Sequence, residues 1–95
     1  MAAYVIANIQ ITDPDRYPEY ASRVPQTVER HGGRYLARGG KVEVLEGEWE
    51  PQRLVILEFE SMERLREWYD SPEYDPLKKL RGEVADSQLV VVEGL

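Results

Sequence analysis

Three stretches of this 95-residue chain are apolar on both faces when drawn as strands, and no other feature limits the fold so sharply. Arg53 to Phe59 (RLVILEF) and Gln88 to Val92 (QLVVV) hold apolar residues at consecutive positions. Ala3 to Ile11 (AYVIANIQI) puts Val5, Ala7, Ile9 and Ile11 on one side, with Tyr4, Ile6, Asn8 and Gln10 on the other. An antiparallel sheet with one wet face alternates apolar and polar residues, and these strands do not. A domain of this size buries only roughly 60–65% of its unfolded surface, so an uncovered apolar face is costly. Two helical segments cover one face. The simplest cover for the other is a second copy of the chain across a two-fold axis. A homodimer packed through the sheet face is therefore expected.

The remaining segments give the order of elements. Asp13 and Pro14 in TDPD carry the residue types of a helix N-cap and first helical position. Tyr17, Tyr20, Ala21, Val24 and Val28 then recur at helical spacing. Pro18 and Pro25 oppose an unbroken helix, so a short first turn followed by a main helix is expected. Gly32-Gly33 closes it. Arg34 to Arg38 and Lys41 to Glu46 read as a strand interrupted at Gly39-Gly40, with GEWEPQ as the loop of a hairpin returning through RLVILEF. Ser61 caps a second helix with Leu65, Trp68 and Tyr69 on one stripe. Ser71-Pro72 ends it and starts another helical piece to about Arg81, with Tyr74, Leu77 and Leu80 facing inward. SQLVVVEG is the last strand. The order βαββαβ predicts an α+β, ferredoxin-like fold in one domain over residues 1–95: a four-stranded antiparallel sheet with its helices on one face.

Charge and composition exclude several functions. Eighteen acidic against 12 basic residues give a net charge of −6, which opposes binding to nucleic acid or an anionic membrane. Cysteine is absent, which removes disulfides, thiolate nucleophiles and sulfur ligands. The N-terminus lacks the layout of a signal peptide, and no apolar run reaches the ~20 residues of a membrane span, so a cytoplasmic protein is expected. One histidine and scattered carboxylates without ligand spacing make no metal site. Gly32-Gly33 closes a helix instead of opening one, the wrong order for a phosphate cradle.

The residues with chemical potential are few. Asn8 is an amide in an apolar strand, so it either pairs with a neighbour or lines a cavity. Glu58 sits inside VILEF and is either a base or the structural partner of Arg38, Arg53 or Arg81. His31 is the sole imidazole available as a base, with a helix C-terminal contact as the plain alternative. One Phe against six Tyr is an expensive composition for a plain core, because each buried phenol needs a partner. Tyr17, Tyr20, Trp68, Tyr69 and Tyr74 therefore suggest a partly polar cavity between helices and sheet; otherwise they simply roof the sheet. Tyr74 reaches that space only if Ser71-Pro72 resets the helical phase.

YVIANIQITDPDRYPEY, HGGRYLARGG, LEGEW, RLVILEF and EWYDSPEYDPLKKLR together resemble the domain-of-unknown-function family 1330, over nearly the whole chain. The resemblance implies the dimeric α-β barrel superfamily, in which ferredoxin-like sheets pair into a barrel. That superfamily includes cofactor-free monooxygenases, haem-degrading enzymes, muconolactone isomerase-like proteins and non-enzymatic members. The haem-degrading enzymes are similar here in a first-strand Asn and a second-helix Trp, matching Asn8 and Trp68. Where they carry a haem-ligating His, this chain reads Asp75-Pro76-Leu77-Lys78-Lys79, so no cofactor is expected. The cofactor-free oxygenases imply Asn8 and Trp68 as donors to a substrate, Arg38 or Arg81 as anion anchor, and His31 or Glu58 as base. The expected function is a small-molecule pocket for an aromatic or carboxylate-bearing compound, lined by Asn8, Tyr20, Arg38, Trp68, Tyr69, Tyr74 and Arg81. Oxygenase- or isomerase-like chemistry would follow, or else non-catalytic binding on a dimeric scaffold.

Overall fold

The computed structural model describes residues 1–95. Strand β1 (Ala3–Ile11) leads into helix α1 (Tyr17–Arg30), and strands β2 (Arg34–Arg38) and β3 (Leu54–Phe59) follow. Helices α2 (Met62–Tyr69) and α3 (Asp75–Val84) precede β4 (Ala85–Glu93). The sheet is antiparallel with order β2-β3-β1-β4, so the first and third strands lie at its centre. The fold is α+β and ferredoxin-like, and its thinnest extent of 16 Å fits one sheet under one layer of helices.

Helix boundaries follow from local chemistry. The Asp13 side chain accepts from the Arg16 backbone N–H at 3.3 Å, building a turn ahead of α1. Pro18 then occupies the first turn of α1, where its missing N–H costs nothing. Pro25 stays inside the helix. The helix stops at His31, and Gly32 at φ +75° turns the chain into β2. Ser61 caps α2 through its hydroxyl, accepting from the Arg64 N–H at 3.2 Å. Buried Ser71 couples α2 to α3: its hydroxyl donates to the Trp68 carbonyl at 2.8 Å and accepts from the Tyr74 N–H at 3.2 Å.

One expected strand is missing. Lys41 to Glu46 forms no strand, and β2 ends at Arg38. Gly39, at φ +70°, gives its N–H to the Leu54 carbonyl at 2.8 Å and turns the chain away from the sheet. Because β3 begins only at Leu54, no neighbouring strand faces residues 41–46.

Alternate residues of β1 separate the two faces. Ala3, Val5, Ala7 and Ile9 are buried under the helices with Leu57, Phe59, Val28, Leu65 and Leu77. On the opposite face Leu36, Val90 and Val92 are 49%, 62% and 48% exposed, beside half-buried Ile6 and Ile56. That face is apolar and uncovered in the single chain.

Candidate functional site

A cavity lies between the inner face of the sheet and helices α1 and α3, floored by Ala7, Ile9, Val55 and Leu57. Aromatic rings wall it. Tyr17 and Tyr20 come from α1, Tyr35 from β2, Trp68 from α2, and Tyr74 from the turn that opens α3. The Ser71-Pro72 break does bring Tyr74 back, with its ring centroid 4.3 Å from that of Trp68.

Three arginines complete the lining: Arg38, Arg53 and Arg81. Arg38 reaches this face because of a β-bulge. Tyr35 pairs with Leu57 on the inner face, the register slips at Leu36, and Arg38 then pairs with inward-facing Val55. Regular alternation from Tyr35 would have sent Arg38 to the outer face, so the bulge re-aims it. Its guanidinium lies 4.7 Å over the Tyr35 ring and donates to the Ala21 carbonyl. That carbonyl is free because its helical donor would be the N–H of residue 25, which is proline.

Arg53 extends β3 by one residue, its carbonyl accepting from the Ile9 N–H at 2.9 Å. Its guanidinium sits 5.7 Å over the Tyr17 ring, and its Nε is buried without a hydrogen-bond partner. A Cβ at position 39 would meet this guanidinium and displace it, while the positive φ is what favours glycine there.

The helix side carries a hydroxyl network. Arg81 Nη1 donates to the Tyr74 hydroxyl at 2.8 Å, and the Tyr20 and Tyr74 hydroxyls are 2.8 Å apart. Burial pushes the phenols of Tyr20 and Tyr74 up, and lifts that of Tyr35 to about 12. At neutral pH all three are donors. No carboxylate and no imidazole lines the cavity, so it contains no side-chain base. Its free volume is about 40 Å³, enough for a water or two; a benzene-sized cavity is on the order of 150 Å³. A ring therefore enters only when side chains of the lining move apart.

The structure divides the expected site residues. Tyr20, Arg38, Trp68, Tyr74 and Arg81 line the cavity together. Trp68 contributes its ring alone, because its indole N–H is spent on the Thr27 hydroxyl at 2.9 Å. Asn8 lies on the opposite face, its amide oxygen accepting from the Gln52 N–H at 3.1 Å. It cannot share this cavity, because β1 presents its odd-numbered residues to the helices. Glu58 also faces outward and pairs with Arg34 at 2.6 Å. His31 ends α1, its Nδ1 2.9 Å from the Thr27 carbonyl, and does not line the cavity. Tyr69 borders a shallower depression with Leu65, Arg66 and Val91, under the ammonium of Lys78 at 3.9 Å. Arg53 and Tyr35 join the site unexpectedly. Arg53 leads the apolar run RLVILEF two residues before inward Val55, and that spacing was the available signal.

Comparison with known proteins places the chain. The family described as "Domain of unknown function (DUF1330)" matches residues 2–95. The chain belongs to that family. No curated protein matches it. Among solved structures, a protein of unknown function from Rhodopseudomonas palustris is similar with 22% identity and a TM-score of 0.77, covering 99% of this chain and 82% of its own. SnoaB, a cofactor-independent oxygenase from Streptomyces nogalater, is similar with 10% identity and a TM-score of 0.67, covering 99% and 93%. The de novo designed protein Foldit4 is similar with 11% identity and a TM-score of 0.64, covering 100% of both chains. A designed sequence and an oxygenase thus share the fold of this DUF1330 chain, and fold by itself selects no activity.

Proposed function

We propose that this DUF1330 protein binds a small, ring-bearing organic anion in the cavity between sheet and helices and stabilises its phenolate or enolate form. One observation carries the reading. The protein has a net charge of −6, yet Arg38, Arg53 and Arg81 converge on an aromatic cavity without an acidic partner. Lys and Arg elsewhere form seven ion pairs with carboxylates, and none of these three takes part. Guanidiniums that line one half-dry site attract an anion from solution, and the rings give it an apolar bed.

The unit acts as one domain in a cytoplasmic homodimer. The exposed apolar row of Leu36, Val90 and Val92, continuous with Ile6 and Ile56, supports association through the sheet. Fluorescence titration tests the site, since Trp68 forms its wall. A Trp49→Phe background removes the signal of the exposed second tryptophan. Quenching by phenols and hydroxy acids is expected; no quenching by any member of such a panel overturns the reading.

A second reading makes the site catalytic. Its donors stabilise an anion and its lining offers no base, so the ligand's own acidity supplies the reactive species. Such an anion can react with dioxygen directly, as the fold likeness to a cofactor-independent oxygenase suggests. An activated methylene would become a carbonyl, with one oxygen atom inserted and the other leaving as water, the substrate supplying all four electrons. Oxygen uptake in the presence of a quenching ligand supports this reading; quenching without uptake leaves a binding protein.

A further inference from the structure

The cavity presents two different receptors, and they call for a ligand with two different ends. This inference rests on the anion-binding reading above and specifies it. On the sheet side, Arg38 and Arg53 are diagonal neighbours across β2 and β3, about 7–8 Å apart at the backbone for such a pair. Both guanidiniums are forks. That of Arg53 holds a buried, unpartnered Nε beside its terminal nitrogens. A planar fork with an unspent Nε matches the two oxygens of a carboxylate.

The helix side is built otherwise. The Tyr74 oxygen already accepts from Arg81, and the two phenols share one hydrogen bond. Two phenolic protons are present and that bond uses one. Whichever way it points, a single phenolic O–H is left without a partner in the protein. One directed donor, backed through the shared bond by a guanidinium, suits a lone oxygen and not a bidentate group. The rings of Tyr35 and Tyr17 lie under Arg38 and Arg53, and that of Trp68 lies against Tyr74, so each receptor has an apolar wall beside it.

We propose that the cavity takes a hydroxyaryl carboxylate, its carboxylate held by Arg53 and Arg38 and its phenolic oxygen by the Tyr20–Tyr74–Arg81 network. Neither the family description nor the fold likeness assigns such a ligand. Probes of graded length test it: 4-hydroxybenzoate, 4-hydroxyphenylacetate and 3-(4-hydroxyphenyl)propanoate, each beside its methyl ester and its 4-methoxy ether. Tryptophan quenching is measured in the Trp49→Phe protein and in Arg53→Gln, Arg53→Lys and Tyr20→Phe/Tyr74→Phe versions of it, each shown folded by circular dichroism.

The best-fitting acid is expected to bind at least tenfold more tightly than either blocked derivative. Arg53→Gln should erase the preference for acid over ester and keep that for phenol over ether; the double substitution Tyr20→Phe/Tyr74→Phe, which removes both phenolic donors, should do the reverse. Arg53→Lys, which keeps the charge and loses the fork, should fall between wild type and Arg53→Gln. If acid and ester bind alike, or if either substitution removes both preferences together, the two-ended site is overturned while the anion site stands. If no probe quenches but simpler phenols do, the two-ended site again falls alone. If nothing quenches, both fall.

Discussion

The two tyrosines of the helix-side hydroxyl network should contribute unequally to stability, and the inequality can be worked out from their partners. Tyr74→Phe removes the acceptor of the Arg81 bond and the partner of Tyr20 in one step, at a position 1% exposed. A hydrogen bond to a charged group contributes about 1.5–3 kcal/mol and a neutral one about 0.5–1.5. Arg81 is half-buried and water partly replaces its lost partner, so about 2–3 kcal/mol is expected for the pair. Tyr20→Phe breaks only the neutral bond and leaves Arg81 on Tyr74, at about 1 kcal/mol. For a chain of this length these losses lower Tm by roughly 10–20 °C and about 5 °C. In the double substitution the Tyr20 hydroxyl has already lost its partner, so the pair should cost about as much as Tyr74→Phe alone, a coupling of about 1 kcal/mol. Urea unfolding followed by circular dichroism at one fixed protein concentration measures all four proteins, with equal slopes confirming comparable unfolding. Additive losses, or a larger loss for Tyr20→Phe than for Tyr74→Phe, would refute the network as the source.

Three further outcomes follow from other parts of the molecule. Burial raises the Tyr35 phenol to about 12 in the fold, against about 10 unfolded, so its contribution is intact below pH 10 and lost as pH rises through 12. Tyr35 is only partly buried, so with solvent screening this amounts to about 1 kcal/mol by linkage, and Tyr35→Phe should shift the alkaline unfolding midpoint upward in a pH titration. Gly39→Ala should destabilise the fold by about 1 kcal/mol in urea melts, because alanine is strained at a positive φ, and should also displace the Arg53 guanidinium. If the protein sediments as the proposed dimer, Val90→Asp on the outer face should convert it to monomer; a wild-type monomer overturns the dimer, and a dimer unchanged by the substitution would place the contact elsewhere.

The sequence carried the order of elements well, because proline, serine and glycine marked the breaks chemically. Ser71-Pro72 is the clearest case, its hydroxyl serving both helices that it separates. Asn8 shows where such reading stops. Both faces of β1 are apolar, so periodicity could not say which one the helices would cover, and a polar residue among apolar ones looked inward when it faces out. Glu58 went the same way, since it shares a face with Tyr4 across the β1–β3 pair. Arg38 was legible as a candidate but not for its reason. A bulge of one residue changes its face, and the carbonyl that holds it lies 17 residues away on another element.

That carbonyl sets two demands against each other. A proline in mid-helix normally weakens the helix, and here the acceptor it strands serves as a parking place for a cation. A carboxylate in the same position would have neutralised Arg38; a neutral carbonyl holds it at the cavity and leaves its charge available. Pro25→Ala would return Ala21 to the helix ladder and evict the guanidinium. The expected result is a higher melting temperature together with weaker quenching by anionic ligands, so that the more stable protein is the one less ready to bind.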